Sequence, residues 1–203
     1  MDLYLFDFDK TLYHYDFLQR LPALARASGV SQYDLASRWW AAGYEARAEA
    51  GEWLGADAYL EKFAEVTGAR LSLAQWQDAR ISAMTPIDGS IAALARVAES
   101  DQAGLFSNNP SIFGESLPRL APPVAEILGS NVLLSYQIRL RKPSPVAFER
   151  ALEHFGYAAA NTFFADDNAA NIAGARSIGI HAHHFTTVEL LDEAIAAFAG
   201  RNR

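Results

Sequence analysis

Asp7 and Asp9 flank Phe8 in the string Asp7-Phe8-Asp9-Lys10-Thr11, directly after the apolar run Leu3-Tyr4-Leu5-Phe6. At i and i+2 they share one face of an extended segment, so two carboxylates stand close together at the end of a buried strand, an arrangement that is costly without a cation. Asp166 and Asp167 follow a second apolar run, Thr162-Phe163-Phe164-Ala165. Four carboxylates converging on one crevice make an oxygen-rich site suited to Mg²⁺, and the chain has no cysteine to offer a softer ligand. Alone, the Asp7/Asp9 pair serves as readily in a surface turn or a helix cap. The residues that follow the other apolar runs shift the balance: Ser107-Asn108-Asn109 in one case and Arg139 to Lys142 in another. Together they form a phosphoryl-transfer kit, with a carboxylate nucleophile, a second carboxylate for acid/base work, hydroxyl and amide donors for phosphate oxygens, and a lysine for charge.

Short apolar runs at 3–6, 103–106, 132–135, 162–165 and 180–183 read as buried strands. Between the later ones lie helix-period stretches. One spans 90–100, with Ile91, Leu94, Ala95 and Val97 inward; another spans 144–155, with Val146, Phe148, Ala151, Leu152 and Phe155 inward. Strand and helix in alternation predict an α/β fold, a Rossmann-like doubly wound parallel sheet whose ligand crevice lies beyond the carboxyl ends of the strands. Residues 13–85 read differently. They show no strand run, only helical patterns near 16–27, 32–50, 56–66 and 73–84, punctuated by Gly29, Gly51, Gly55 and Gly68. The expected organisation is an α/β core made of residues 1–12 and 86–203, with a small all-helical domain, 13–85, inserted after the first strand.

A chain of 203 residues, 51% of them hydrophobic, buries a proper core, and its composition excludes a disordered or collagen-like protein. The net charge of -7 argues against partners that reward a broad basic surface, so neither nucleic acid nor an anionic membrane is expected. Asp7 and Asp9 interrupt the apolar start, and no uncharged apolar run approaches the ~18 residues of a spanning helix. A cytoplasmic protein acting on a small molecule, as a monomer or homodimer, is the expectation.

The string Asp7-Phe8-Asp9-Lys10-Thr11-Leu12 resembles the first motif of the haloacid dehalogenase superfamily, which contains many phosphatases. Three more motifs agree in order: Leu105-Phe106-Ser107-Asn108-Asn109, then Arg141-Lys142-Pro143-Ser144-Pro145, then FFADDNAANIAGA from Phe163 to Ala175. The helical insert resembles that family's cap by position and pattern. The resemblance implies that Asp7 attacks phosphorus and becomes an aspartyl-phosphate. Asp9 would protonate the leaving oxygen and then activate water. It also implies Mg²⁺ held by Asp7, the main-chain carbonyl of Asp9 and Asp167, with Asp166 supporting and Asn171 joining through water. Ser107 and Asn108 would donate to the phosphate oxygens, Lys142 would offset charge, and the Thr11 hydroxyl would hydrogen-bond Asp7 at the substrate site. Lys10 departs from the Gly or Asn frequent at its position, which puts the local turn in question, because glycine accepts a positive φ more easily.

Motif detail in LSYQIRLRKPSPVAF and FFADDNAANIAGARSIGI is closest to the sugar-phosphate (α-glucose-1-phosphate) phosphatase branch. DFDKTLY is closer to pyrimidine 5'-nucleotidases, so a nucleoside monophosphate is the alternative substrate. A phosphomutase and a non-catalytic phospholigand-binding protein are further readings, whereas a haloacid dehalogenase has no use for Asp9. Arg139 and Arg141 are expected to face solvent or to pair with Glu149. His181, His183 and His184 are read as half-exposed residues of a late strand near the sheet edge, and His14 as the histidine nearest the chemistry. Trp39, Trp40, Tyr44, Arg47 and Trp53 are expected to be core of the insert rather than a substrate pocket. Gly174 and Gly179 are read as packing and helix-end residues.

Overall fold

The computed structural model describes residues 1–202. Its centre is a sheet of five parallel strands: β1 (Leu3–Phe6), β4 (Gln102–Ser107), β5 (Val132–Leu134), β6 (Thr162–Asp166) and β7 (His181–His184), in the order β5-β4-β1-β6-β7. The apolar strings form strands buried on both faces because alternate residues feed two separate cores. Leu3 and Leu5 of β1 join Phe106, Phe148 and Phe164 on one side. Tyr4 and Phe6 join Leu105, Phe163 and Phe198 on the other. Helices α10 (Pro145–Phe155) and α11 (Ala169–Ser177) cover the first side; α6 (Asp88–Ala98), α7 (Ser111–Leu120), α8 (Pro122–Leu128) and α12 (Val188–Ala199) belong to the second. The chain leaves β1 for β4 and β5 on one flank and returns to β6 and β7 on the other. The carboxyl ends of β1, β4 and β6 therefore border the crevice where such sheets bind ligands.

Between β1 and α6 lies the helical insert: α1 (Phe17–Ser28), α2 (Gln32–Leu35), a π-helical turn (Ala36–Ala41), α3 (Tyr44–Glu49), α4 (Ala56–Thr67) and α5 (Leu73–Ile81). Two strands that the sequence pattern does not reveal, β2 (Tyr13–Tyr15) and β3 (Met84–Pro86), pair antiparallel at its neck. At three residues each they are too short for a period-2 pattern, and Met84, expected to end a helix, belongs to β3. The single helix expected over 32–50 is also broken, at the π turn and at Gly43, whose φ is 81°. Position 146 differs too. Pro145 opens α10, so Ala147 and Phe148 turn inward and Val146 is exposed.

Trp39, 0% exposed, organises the insert, with ring contacts to Tyr44, Trp53, Tyr59 and Phe63 at 4.9 to 5.9 Å between centroids. That cluster is continuous with Phe113 and Leu117 of α7. Polar contacts reinforce it: the Gly55 amide donates to Ser111 Oγ at 2.9 Å, and the Ala56 amide to Glu115 Oε1 at 3.1 Å, so α7 side chains cap the start of α4. The helical segments 44–49, 56–67 and 73–81 are thus fastened to one side of the crevice.

Candidate active site

β1 ends at Phe6, and the Asp7 amide donates to the Ala165 carbonyl at 2.9 Å, which holds the first carboxylate at the mouth of the sheet beside β6. From the facing loop comes Lys142, 3% exposed. Its Nζ stands 2.9 Å from Asp7 Oδ1 and 2.6 Å from Asp166 Oδ2, and donates to the Phe106 carbonyl at 2.9 Å. A lysine reaches so far inside because its loop is pinned. Asn108 Nδ2 donates to the Lys142 carbonyl, and the Lys142 amide donates to Asn108 Oδ1, each at 2.9 Å. Gly174 of α11 lets helix and loop touch, since a Cβ there would stand 2.2 Å from the Pro143 carbonyl oxygen.

Asp166 is fully buried and accepts three hydrogen bonds: besides that from Lys142, one from Asn171 Nδ2 at 2.9 Å and one from the Asn168 amide at 2.7 Å. Asp167 is half-buried, and His184 donates to its carbonyl at 2.8 Å. Asp7, Asp166 and Asp167 each offer an oxygen within 4.8 Å of the others. Three carboxylates against the buried Lys142 ammonium and the more distant, exposed Lys10 leave surplus negative charge among hard oxygen donors, which fits a divalent cation such as Mg²⁺. Burial raises the Asp7 carboxyl to about 7; Lys142 opposes this, Asp166 adds to it, and Ser107 opposes it. Burial pushes Lys142 down, but Asp7 and Asp166 outweigh that and hold it above its ordinary value. Asp167 is raised by burial and then by Asp166.

The Asp9 carboxylate lies outside the trio and meets a partner the sequence did not mark. Arg80, on α5 of the insert, places Nη2 2.5 Å from Asp9 Oδ1 and 2.7 Å from Oδ2. The two are 71 positions apart, and no motif connects them. Tyr15, which also escaped notice, lines the same cleft of about 270 Å³ with Asp7, Asp9, Ser107, Asn108 and Lys142. A second cavity of about 450 Å³ shares Lys10 and Tyr15 with it and continues to His14, Gln19, Thr85 and Phe185.

Three expected details change. Thr11 is buried with its hydroxyl unpartnered and does not hydrogen-bond Asp7, because the turn directs it inward, away from the cleft. The Asn108 side chain is spent on the Lys142 loop rather than left free for a phosphate oxygen. Arg141 pairs with Glu49 of the insert at 2.7 Å, not with Glu149, as the insert packs over that loop. Lys10 itself takes the left-handed φ of 59°, in a turn whose Lys10 amide donates to the Tyr13 carbonyl and whose Leu12 and Tyr13 amides donate to the Phe8 carbonyl. Ser107 lines the cleft, and its hydroxyl accepts from Asn109. Asn171 is buried against Asp166 and reaches the cleft. Among the described residues, Trp39, Trp40, Tyr44, Arg47 and Trp53 stay out of the cleft.

The model of haloacid dehalogenase-like hydrolases matches residues 1–179. The chain belongs to this family of hydrolases. Solved haloacid dehalogenase-like structures share its fold. A predicted family hydrolase from Porphyromonas gingivalis superposes with a TM-score of 0.79 at 20% identity, covering 98% of each chain. A family enzyme from Bacteroides thetaiotaomicron, in complex with magnesium and inorganic phosphate, gives 0.77 at 21% identity over 92% of this chain and 94% of that one. The L-2-haloacid dehalogenase of Xanthobacter autotrophicus, with chloropropionic acid covalently bound, gives 0.58 at 19% identity over 97% of this chain and 83% of its own. Among the described residues, no helix is long and apolar enough to cross a membrane.

Proposed function

We propose that the protein is a Mg²⁺-dependent phosphatase that hydrolyses a small phosphorylated metabolite, a sugar phosphate first, through an aspartyl-phosphate at Asp7. The carrying observation is the pairing of two differently placed carboxylates in one cleft. Asp7 is buried against Lys142 and the acidic trio, and Asp9 stands apart, paired with Arg80 yet still lining the cleft. A dehalogenase needs the first and not the second.

The Asp7 carboxylate attacks phosphorus while the proton on Asp9 passes to the ester oxygen, releasing the alcohol. Water then attacks the same phosphorus, giving its proton to Asp9, and the Asp7 oxygen–phosphorus bond breaks. Ser107 Oγ and the main-chain amide of Asn108 are the donors offered to the phosphoryl oxygens, and Lys142 balances Asp7 while charge shifts. Asp7, Asp167 and the Asp9 carbonyl would hold Mg²⁺, with Asp166 fixing Lys142 and Asn171 behind them. When bound, the ion supplies positive charge to the phosphoryl oxygens. The leaving group is directed into the adjoining cavity, where His14, Gln19 and Thr85 present polar groups suited to hydroxyls. Phosphate release from sugar phosphates, nucleoside monophosphates and p-nitrophenyl phosphate, with Mg²⁺ and with chelator, tests the reading. Chelator-sensitive release led by a sugar phosphate is expected; a nucleoside monophosphate as best substrate replaces the substrate assignment, and no release from any ester refutes the activity.

A further inference from the structure

Among the described residues, Arg80 is the insert's one basic side chain paired with a carboxylate of the cleft, and it touches the acid/base rather than a phosphate-binding group. Its side chain is 3% exposed, while that of Asp9 keeps 27%. The guanidinium lies 4.0 Å from the Tyr15 ring centroid and 5.4 Å from that of Phe113, and Arg20 Nη1 donates to the Tyr15 hydroxyl at 3.1 Å. Arg80 is therefore held between aromatic rings, with little rotamer freedom left, and one nitrogen bridges both Asp9 oxygens from the insert side. That bridge holds both carboxylate oxygens, while the side chain keeps enough exposure to line the cleft.

Resting on the phosphatase reading above, we propose that Arg80 is a positioning residue that aims Asp9 at the ester oxygen and then at the attacking water. The α/β core supplies the nucleophile and the balancing charge; the insert supplies the orientation of the proton carrier. Both proton transfers pass through Asp9: out to the ester oxygen as the phosphorus–oxygen bond breaks, and back from water as the aspartyl-phosphate is cleaved. A misaimed Asp9 hurts most where the leaving group needs a proton.

The test compares butyl phosphate, whose alkoxide needs the proton, with p-nitrophenyl phosphate, whose phenolate leaves without it, using Mg²⁺-loaded wild type and Arg80→Met. With butyl phosphate, kcat should fall by about 100-fold, the low end of acid–base contributions, with KM within about threefold. With p-nitrophenyl phosphate, the pre-steady-state burst of nitrophenolate should persist within about fivefold of the wild-type rate, followed by slowed turnover as the second step waits for the base. Arg80→Lys, which still offers one cationic nitrogen, should recover at least about tenfold of the butyl phosphate loss. Equal loss on both esters, burst included, or Arg80→Met turning over butyl phosphate like wild type, overturns the positioning role. Where circular dichroism shows Arg80→Met unfolded, Tyr15→Leu keeps the pair and removes the stack; it should show the same ester selectivity at smaller size, and its absence is equally refuting. Failure of wild type on both esters overturns the phosphatase reading and this role with it.

Discussion

Replacing Asp7 by Asn should make the metal-free protein more stable as well as inactive. Burial carries the Asp7 carboxyl from 3.8 to about 7 in the fold, so ionising it there costs about 4 kcal/mol relative to the unfolded chain. Because the folded value is the raised one, wild type has the full contribution of this group below about pH 4. It loses roughly 1.4 kcal/mol per pH unit from there to about pH 7, and the loss is complete above that. Asn, an isosteric neutral side chain, escapes the loss. In chelator, the stability difference favouring Asp7→Asn should be near zero at pH 4 and grow to about 4 kcal/mol by pH 8. Lys142 does not forfeit the gain, since it keeps Asp166 at 2.6 Å and the Phe106 carbonyl at 2.9 Å. Urea unfolding of both proteins at pH 4, 6 and 8 with EDTA measures it, and millimolar Mg²⁺ should then stabilise wild type more than the variant. A variant less stable than wild type at pH 8, or a difference that ignores pH, refutes the charge account of the cleft.

Lys142→Met leaves Asp7 and Asp166 without their ammonium and should cost about 3–5 kcal/mol at pH 7 by denaturant titration, with turnover abolished. Gly174→Ala drives a Cβ into the Pro143 carbonyl, and because backbone opposes it the loss should be about 1–3 kcal/mol in urea, with turnover reduced as the Lys142 loop shifts. Trp39→Ala empties the centre of the insert and should lower stability by about 3–5 kcal/mol by thermal or urea unfolding. Asp167→Asn should raise the Mg²⁺ concentration for half-maximal phosphate release by tenfold or more while preserving the fold, since Asp166 and not Asp167 carries the internal hydrogen bonds.

The sheet was legible because each strand is a short apolar run ending in polar residues, and those ends are where a parallel sheet places its ligand. Asp7, Asp9, Ser107, Asn108, Lys142, Asp166 and Asp167 come together for that reason. The neck was not legible: Tyr13-His14-Tyr15 and Met84-Thr85-Pro86 become strands only by pairing across a 68-residue gap. Arg80 escaped for the same cause, since a lone arginine on a helix carries no local sign of a partner 71 positions away. Thr11 misled in the opposite direction. Its hydroxyl suits the chemistry, but a left-handed residue at Lys10 turns the chain and takes Thr11 inward. A sequence neighbour of Asp7 can thus share its strand end, as Thr11 does, without sharing its cleft.

The most direct measurement is phosphate release by wild type and Asp7→Asn from the sugar-phosphate panel and p-nitrophenyl phosphate, at saturating Mg²⁺ and in EDTA. The account predicts turnover by wild type that falls by at least about 100-fold in chelator, and none by a folded Asp7→Asn. Asp7→Asn that folds and releases phosphate at the wild-type rate would contradict the assignment of Asp7 as nucleophile.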